Sequence, residues 1–274
     1  MANPVNTADS TRLVPAAGEP YRWLEVPDDA PAAYLRLSPV LAEAIALTAR
    51  DGRPAVLVRP QRPYVLLGPQ DRRLPRVEQA AATLTARGLP VFMRISGGSA
   101  VLLDEHCLSF GAMRACRDLT TLERNFRELA AGALEALRIL GVKAAFGAAR
   151  GSYCEGPWDI VVNGRKVAGI SQAIRQGFTL VSGMLLVDQE PVATTAFIQE
   201  FYRQAGSDRR FDPEAVTNLS LQLGRPVTRE EVRAALRIGY ERTLGLAPSA
   251  IGDAEWQRAE VLHSQRRFPA TAAG

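Results

Sequence analysis

The apolar positions of this chain fall in short blocks divided by turn residues, and the spacing within the blocks predicts a mixture of strands and helices. Residues 37–49 are apolar and alanine-rich and predict a helix, ended by Asp51-Gly52. Residues 54–59, Pro-Ala-Val-Leu-Val-Arg, read as a buried strand, and 63–67 as a second that stops at the Gly68-Pro69 turn. A helix over 77–87 is closed by Gly88. A strand over 90–95 runs into Ser96-Gly97-Gly98-Ser99. Two more, at 100–103 and 108–113, flank a turn at Asp104-Glu105.

Thr120 with Glu123 three residues on has the capping-box spacing and predicts the start of a helix running to Leu140, stopped by Gly141. A glycine-rich loop, 147–156, follows. Asn163-Gly164-Arg165 joins apolar runs at 158–162 and 166–172, and Asn-Gly between such runs predicts a tight hairpin. A third strand of this meander is expected at 179–187. From Thr194 to Arg267 the pattern is mainly helical, with breaks at Gly206-Ser207, Gly224-Arg225-Pro226 and Gly245, and a second capping box at Thr228 and Glu231.

Strands that arrive in hairpins do not build a simple alternating parallel sheet. The expected fold class is α+β, with a mixed, largely antiparallel sheet flanked by helices. Residues 1–20 are small, polar and proline-containing and read as a flexible leader. The expected main domain spans 21–246, and 247–274 is expected to be a C-terminal helix and a disordered tail.

Composition narrows the classes. Of 274 residues, 47% are hydrophobic and 23% charged, enough for a sizeable core and too apolar for a disordered chain. The net charge of +4 comes from scattered arginines, and no basic block marks a nucleic-acid surface. No run is long enough to span a membrane. Cys107, Cys116 and Cys154 make an odd set without a Cys-x-x-Cys pair, and His106 and His263 are the only histidines. That argues against a disulfide framework and against a metal site, and for a reducing, cytoplasmic setting.

Three segments are candidates for chemistry. In Arg94-Ile95-Ser96-Gly97-Gly98-Ser99-Ala100, the glycines let backbone N–H groups approach a carbonyl or phosphate, and Arg94 adds a charge. An ordinary hairpin turn has the same pattern. In Gly151-Ser152-Tyr153-Cys154-Glu155-Gly156, a cysteine in a glycine-flanked loop is open to a bulky acyl group, whose thioester is reactive toward amines. A half-buried structural cysteine fits equally, and that reading is preferred for Cys107 and Cys116. In the hairpin, a two-residue turn at Asn163-Gly164 pairs Val162 with Arg165 and Val161 with Lys166. Alternation then makes Asp159 and Lys166 diagonal neighbours on one face. Lys166 is a candidate cation for a carbonyl, a phosphate or a thiolate; a surface ion pair is the alternative. Spacing does not bring Cys154 to Lys166, which requires the loop to fold back over the sheet.

Together these segments resemble the lipoate-protein ligase, octanoyltransferase and biotin-ligase superfamily. Arg94-x-Ser96-Gly97-Gly98-x-Ala100-Val101 looks like its glycine-rich acyl-binding turn, and Gly164-Arg165-Lys166-Val167-Ala168-Gly169 like its lysine motif. The likeness covers roughly residues 24–246. The segments 67–75 and 151–156, continuing through Asp159 to Gln172, are similar to the octanoyl-[GcvH]:protein N-octanoyltransferases. The resemblance implies a biotin/lipoate-ligase-like catalytic domain, Cys154 as nucleophile and Lys166 as the second catalytic residue. It implies an acyl site at Arg94, Ser96, Gly97, Gly98, Asp159 and Gly169, with Lys166 polarising or hydrogen-bonding the acyl carbonyl and favouring the Cys154 thiolate, Asp159 orienting Lys166 and the N–H groups of Gly97-Gly98 holding the carbonyl. The implied donor is the glycine cleavage H protein and the acceptors are lipoyl domains of 2-oxoacid dehydrogenase E2 subunits, with no cofactor and no ATP. An acyl carrier protein or a free acid with ATP are the alternative donors. Ser99 at the usual third glycine and Ile95 within the usual arginine pair depart from the ATP-dependent ligases.

Overall fold

The computed structural model describes residues 19–269. The expected leader and the end of the tail lie almost wholly outside the described residues. In chain order the elements are β1 (Tyr21–Glu25), α1 (Ala32–Leu35), α2 (Ser38–Ala49), β2 (Ala55–Pro60), β3 (Tyr64–Leu67), α3 (Val77–Ala86), β4 (Val91–Met93), β5 (Val101–Leu103) and β6 (Cys107–Ala115). Then come α4 (Leu122–Leu129), α5 (Ala131–Ile139), β7 (Ala145–Phe146), β8 (Ile160–Val162), β9 (Arg165–Arg175), β10 (Phe178–Leu186), α6 (Pro191–Gln204), α7 (Leu219–Leu223), α8 (Arg229–Leu244), β11 (Leu246–Pro248) and α9 (Asp253–Arg266).

The larger sheet has the order β11-β1-β2-β6-β10-β9-β8-β7. β1 runs parallel to β2 and β11, and the pairs from β2 to β7 are antiparallel. A small sheet, β4-β3-β5, lies apart from it. The α+β, largely antiparallel expectation holds. One face of the large sheet, with Val58, Phe110 and Leu185, packs on α4, α5 and α8 through Leu129, Ala133 and Leu236. The other face packs on α2 through Leu57, Met113 and Leu180. Further along the same face, Met184 joins the small sheet and α3 and α6 through Val65, Met93 and Ile198.

The predicted elements form with local corrections. The helix expected to run to Leu140 breaks at Ala130 into α4 and α5. Its start is not the Thr120 capping box. Asp118 accepts from the Thr120 N–H and hydroxyl, and the Thr121 side chain leaves α4 uncapped. At α8 half of the box forms: Thr228 accepts from the Glu231 N–H, while the Glu231 carboxylate goes to Arg225. In the hairpin Val162 pairs with Arg165 and Val161 with Lys166, as the turn predicts, but an irregularity follows and Ile160 faces Ala168. β1 and β11 were not legible as strands. The expected boundary after residue 246 falls inside β11, and α9 beyond it packs on α2 through the buried Ala259 and Leu262.

Candidate active site

The loop before β8 folds back over the sheet and brings Cys154 to the hairpin lysine. Lys166 is 2% exposed, and its ammonium donates to the Tyr153 carbonyl at 2.8 Å and to the Cys154 carbonyl at 2.7 Å. Its third partner is Asp159 Oδ2 at 2.8 Å, a pair that is buried on both sides. An ammonium has three protons, so in this arrangement all are engaged. These contacts direct Lys166 to the loop backbone and to Asp159. Burial pushes the Asp159 carboxyl up. Lys166 and the N–H groups of Ile170 and Gly156, at 3.1 and 3.0 Å, oppose that push.

The thiol itself is met by other groups. Arg94 Nη2 donates to Cys154 Sγ at 3.2 Å and to the Ser99 carbonyl at 2.8 Å. The Ser99 N–H donates to the same sulfur at 3.2 Å. Burial raises the thiol's pKa, but the Arg94 guanidinium, then Lys166 and the Ser99 N–H, outweigh it and hold the thiol below its ordinary value. Cys154 sits at φ +50, a left-handed backbone that a non-glycine residue rarely adopts. The two Lys166 bonds to carbonyls 153 and 154 anchor that peptide. Cys107, by contrast, is fully buried, and burial pushes its thiol up, as befits a structural residue. Cys116 sits at the end of β6 facing Asp118 and Thr121.

The glycine turn is pinned from several sides. Ser96 Oγ and Ser171 Oγ of β9 share a hydrogen bond of 2.8 Å, and the Gly97 N–H donates to the Gln172 carbonyl at 3.4 Å. The N–H of Gly97 is thus committed to the sheet, and it is the N–H of Ser99 that faces the sulfur. Gly98 has φ +100, and a Cβ there would lie 2.8 Å from Cys154 Sγ. A Cβ on Gly68 would overlap the Gly98 carbonyl, so the 67–75 segment supports the turn by close backbone approach. Asp71 accepts from the Tyr202 hydroxyl at 2.6 Å and from the Gly68 N–H at 2.8 Å, and the Ala100 N–H donates to that hydroxyl at 3.1 Å. The sequence reading did not single out Asp71 or Tyr202. Gly169 of β9 faces Met184, with room for its absent side chain 4.0 Å from Asp159.

A cavity of about 450 Å³ opens at these residues, between the large and small sheets. Gly169, Ser171, Ser182 and Met184 line it from the large sheet, and Met93 and Leu103 from the small one. Concave, mostly apolar and bordered by a few convergent polar groups, it has the make-up of a small-molecule site.

The lipoyl protein ligase A/B catalytic domain family matches residues 32–240, most of the chain. The chain belongs to that family. It is 31% identical to the octanoyl-[GcvH]:protein N-octanoyltransferase of Anoxybacillus flavithermus, over 76% of this chain and 78% of the relative. With the enzyme of the same name from Geobacillus kaustophilus it shares 30%, over 70% and 71%. Among solved structures, the bipartite lipoate protein ligase of Thermoplasma acidophilum superposes with a TM-score of 0.64 at 24% identity, covering 90% of this chain and 92% of that one. A lipoate-protein ligase A bound with ATP superposes with a TM-score of 0.66 at 24% identity, over 89% and 94%. The lipoate-ligase fold implied by the glycine turn and lysine motif is therefore the fold of this chain.

Proposed function

We propose that this enzyme moves an octanoyl or lipoyl group between lysine side chains of carrier proteins through a thioester on Cys154. The donor is the glycine cleavage H protein, and the acceptor is the lipoyl domain of a 2-oxoacid dehydrogenase E2 subunit. The observation that carries the reading is the Cys154 sulfur held between the Arg94 guanidinium and the Ser99 N–H at the wall of the cavity. The names of the relatives support the donor, and the apolar lining suits a medium-length chain, whose burial contributes about 0.8 kcal/mol per CH₂.

The steps balance without a cofactor. The Cys154 thiolate attacks the amide carbonyl carbon of the octanoyl-lysine, forming a C–S bond and placing charge on the oxygen. As the sulfur gives up its charge, the Ser99 N–H and Arg94 are released to that oxygen. The lysine nitrogen takes up a proton from solvent, the C–N bond breaks, the lysine amine leaves and the thioester remains. The acceptor lysine, as a free amine, then attacks the thioester. The C–S bond breaks, the thiolate is restored and the amine's surplus proton is lost to solvent. Lys166 positions the reacting loop, and Asp159 orients Lys166. A thiolate nucleophile and three unpaired cysteines suit the cytoplasm.

Intact mass spectrometry tests the reading. Mixing with octanoyl-H protein gives a protein heavier by one octanoyl group, and Cys154→Ala gives none. An adduct that persists in the variant refutes the nucleophile. Octanoyl acyl carrier protein, and octanoate with ATP, run in parallel, identify a different donor if either loads Cys154 faster.

A further inference from the structure

The cavity holds a charged side chain that the transfer chemistry does not use. Arg59 of β2 lines it and is 7% exposed. Its Nε donates to the Ser38 carbonyl at 2.9 Å, but Nη1 has no hydrogen-bond partner among the described residues. The hydroxyl of Tyr153, which lines the same cavity at 1% exposure, is also without a partner among them. The Glu43 carboxylate that borders the cavity is taken up by Arg266.

Ladder pairing puts Arg59 across the sheet from the thiol. Arg59 pairs with Ser109, Ser109 with Met184 and Met184 with Gly169, and all four line the cavity. Paired residues share a face, so these form one row, and its three interstrand gaps span roughly 14 Å at about 4.8 Å each. Gly169 lies beside Asp159, at the reactive end. An acyl chain held on Cys154 and laid along the row runs toward Arg59. A hydrocarbon end pressed against a buried N–H that lacks an acceptor is unfavourable, whereas an oxygen there satisfies it.

We propose that Arg59 makes the inner end of the cavity a polar subsite for the far end of the acyl chain, one that takes a carboxylate or other oxygen acceptor and rejects a plain hydrocarbon long enough to reach it. The proposal rests on the thioester reading and names the acyl groups it admits: short plain chains, and longer chains that end in an acceptor. The probes are octanoyl, dodecanoyl and 11-carboxyundecanoyl thioesters of N-acetylcysteamine, with loading of Cys154 read by intact mass. In the unsubstituted protein the carboxyl-ended twelve-carbon chain loads at least tenfold faster than the plain one. Arg59→Met removes that preference, and Arg59→Gln, which keeps an amide donor, retains part of it and decides the matter if the methionine variant does not fold. A preference unchanged in the folded variants, or absent from the unsubstituted protein, overturns the proposal. Calorimetric titration of the Cys154→Ala protein with dodecanamide and its ω-carboxyl analogue reads the subsite without the transfer step. At least tenfold tighter binding of the carboxyl compound is expected, and equal affinities overturn the subsite. If no thioester loads Cys154 while this titration succeeds, the transfer reading alone fails.

Discussion

Cys154 draws its character from residues far away in sequence. Arg94 is 60 positions upstream, yet its guanidinium touches the sulfur, and Lys166, only 12 positions downstream, touches the loop's carbonyl. Positive charge beside the sulfur favours thiolate, so the alkylation rate of Cys154 by iodoacetamide is expected to rise with pH through a midpoint below that of an ordinary thiol. Below that midpoint the thiol is protonated and each pH unit lowers the rate about tenfold. Arg94→Gln moves the midpoint up toward the ordinary thiol value; an unmoved midpoint removes Arg94 from the activating role. Lys166 makes a different prediction. Lys166→Met leaves the Asp159 carboxylate buried without its cation, and breaking a buried pair from one side costs about 3–5 kcal/mol. Chemical denaturation of the variant measures that loss, and a variant as stable as the parent contradicts the buried pair.

At the level of elements, the reactive turn is shaped by what packs beneath it. The strand β3 is followed by Gly68, whose backbone lies against Gly98, and Asp71 fastens Gly68 to Tyr202 of α6. Tyr202 in turn accepts from Ala100 just past the turn. Tyr202→Phe leaves the Asp71 oxygen and the Ala100 N–H without this partner in a buried site, at a cost of about 1–3 kcal/mol. The same variant is expected to load Cys154 several-fold more slowly, since the Ser99 N–H and Arg94 are positioned by this turn. Denaturation and acyl loading on one preparation test both, and unchanged loading uncouples the network from the site. A similar economy of space operates on the other side of the sheet, where α5 crosses α8 so closely that a Cβ on Gly239 would overlap the Gly132 carbonyl. That contact, not local propensity, explains a glycine in the middle of α8.

For the whole molecule, the large sheet is closed at one edge by a strand from the chain's last third, and α9 returns to cover α2. The ion pairs Arg22–Glu255 and Arg266–Glu43 tie this return to β1 and α2. A helix merely appended to the domain would contribute little. A core helix should be sensitive to truncation of its buried face, and Leu262 is 6% exposed. Leu262→Ala is expected to lower stability by about 2–4 kcal/mol, within the range for buried leucines, while leaving the alkylation midpoint of Cys154 where it was. A change below about 1 kcal/mol would return α9 to the status of an appendage.

The sequence by itself determined what is local. Period-two alternation and Asn163-Gly164 settled the hairpin and its first two pairs, because a two-residue turn dictates register. The same alternation anticipated Asp159 and Lys166 as neighbours, although a register shift between Ile160 and Val161 intervenes, and glycine spacing marked the loop of Cys154. The family resemblance rested on those same short segments. Only the tertiary structure decided that Lys166 spends its protons on the loop and that Arg94 is the cation on the sulfur. It also decided that Ser99, not Gly97, turns its N–H to the thiol, and that β1 and β11 are strands at all. Three of these depend on how a loop, a turn and two sheets stack, and the fourth on pairing between strands more than 200 residues apart. Side-chain periodicity carries no information about such distances, since it reports which face a residue takes and not what is packed against that face.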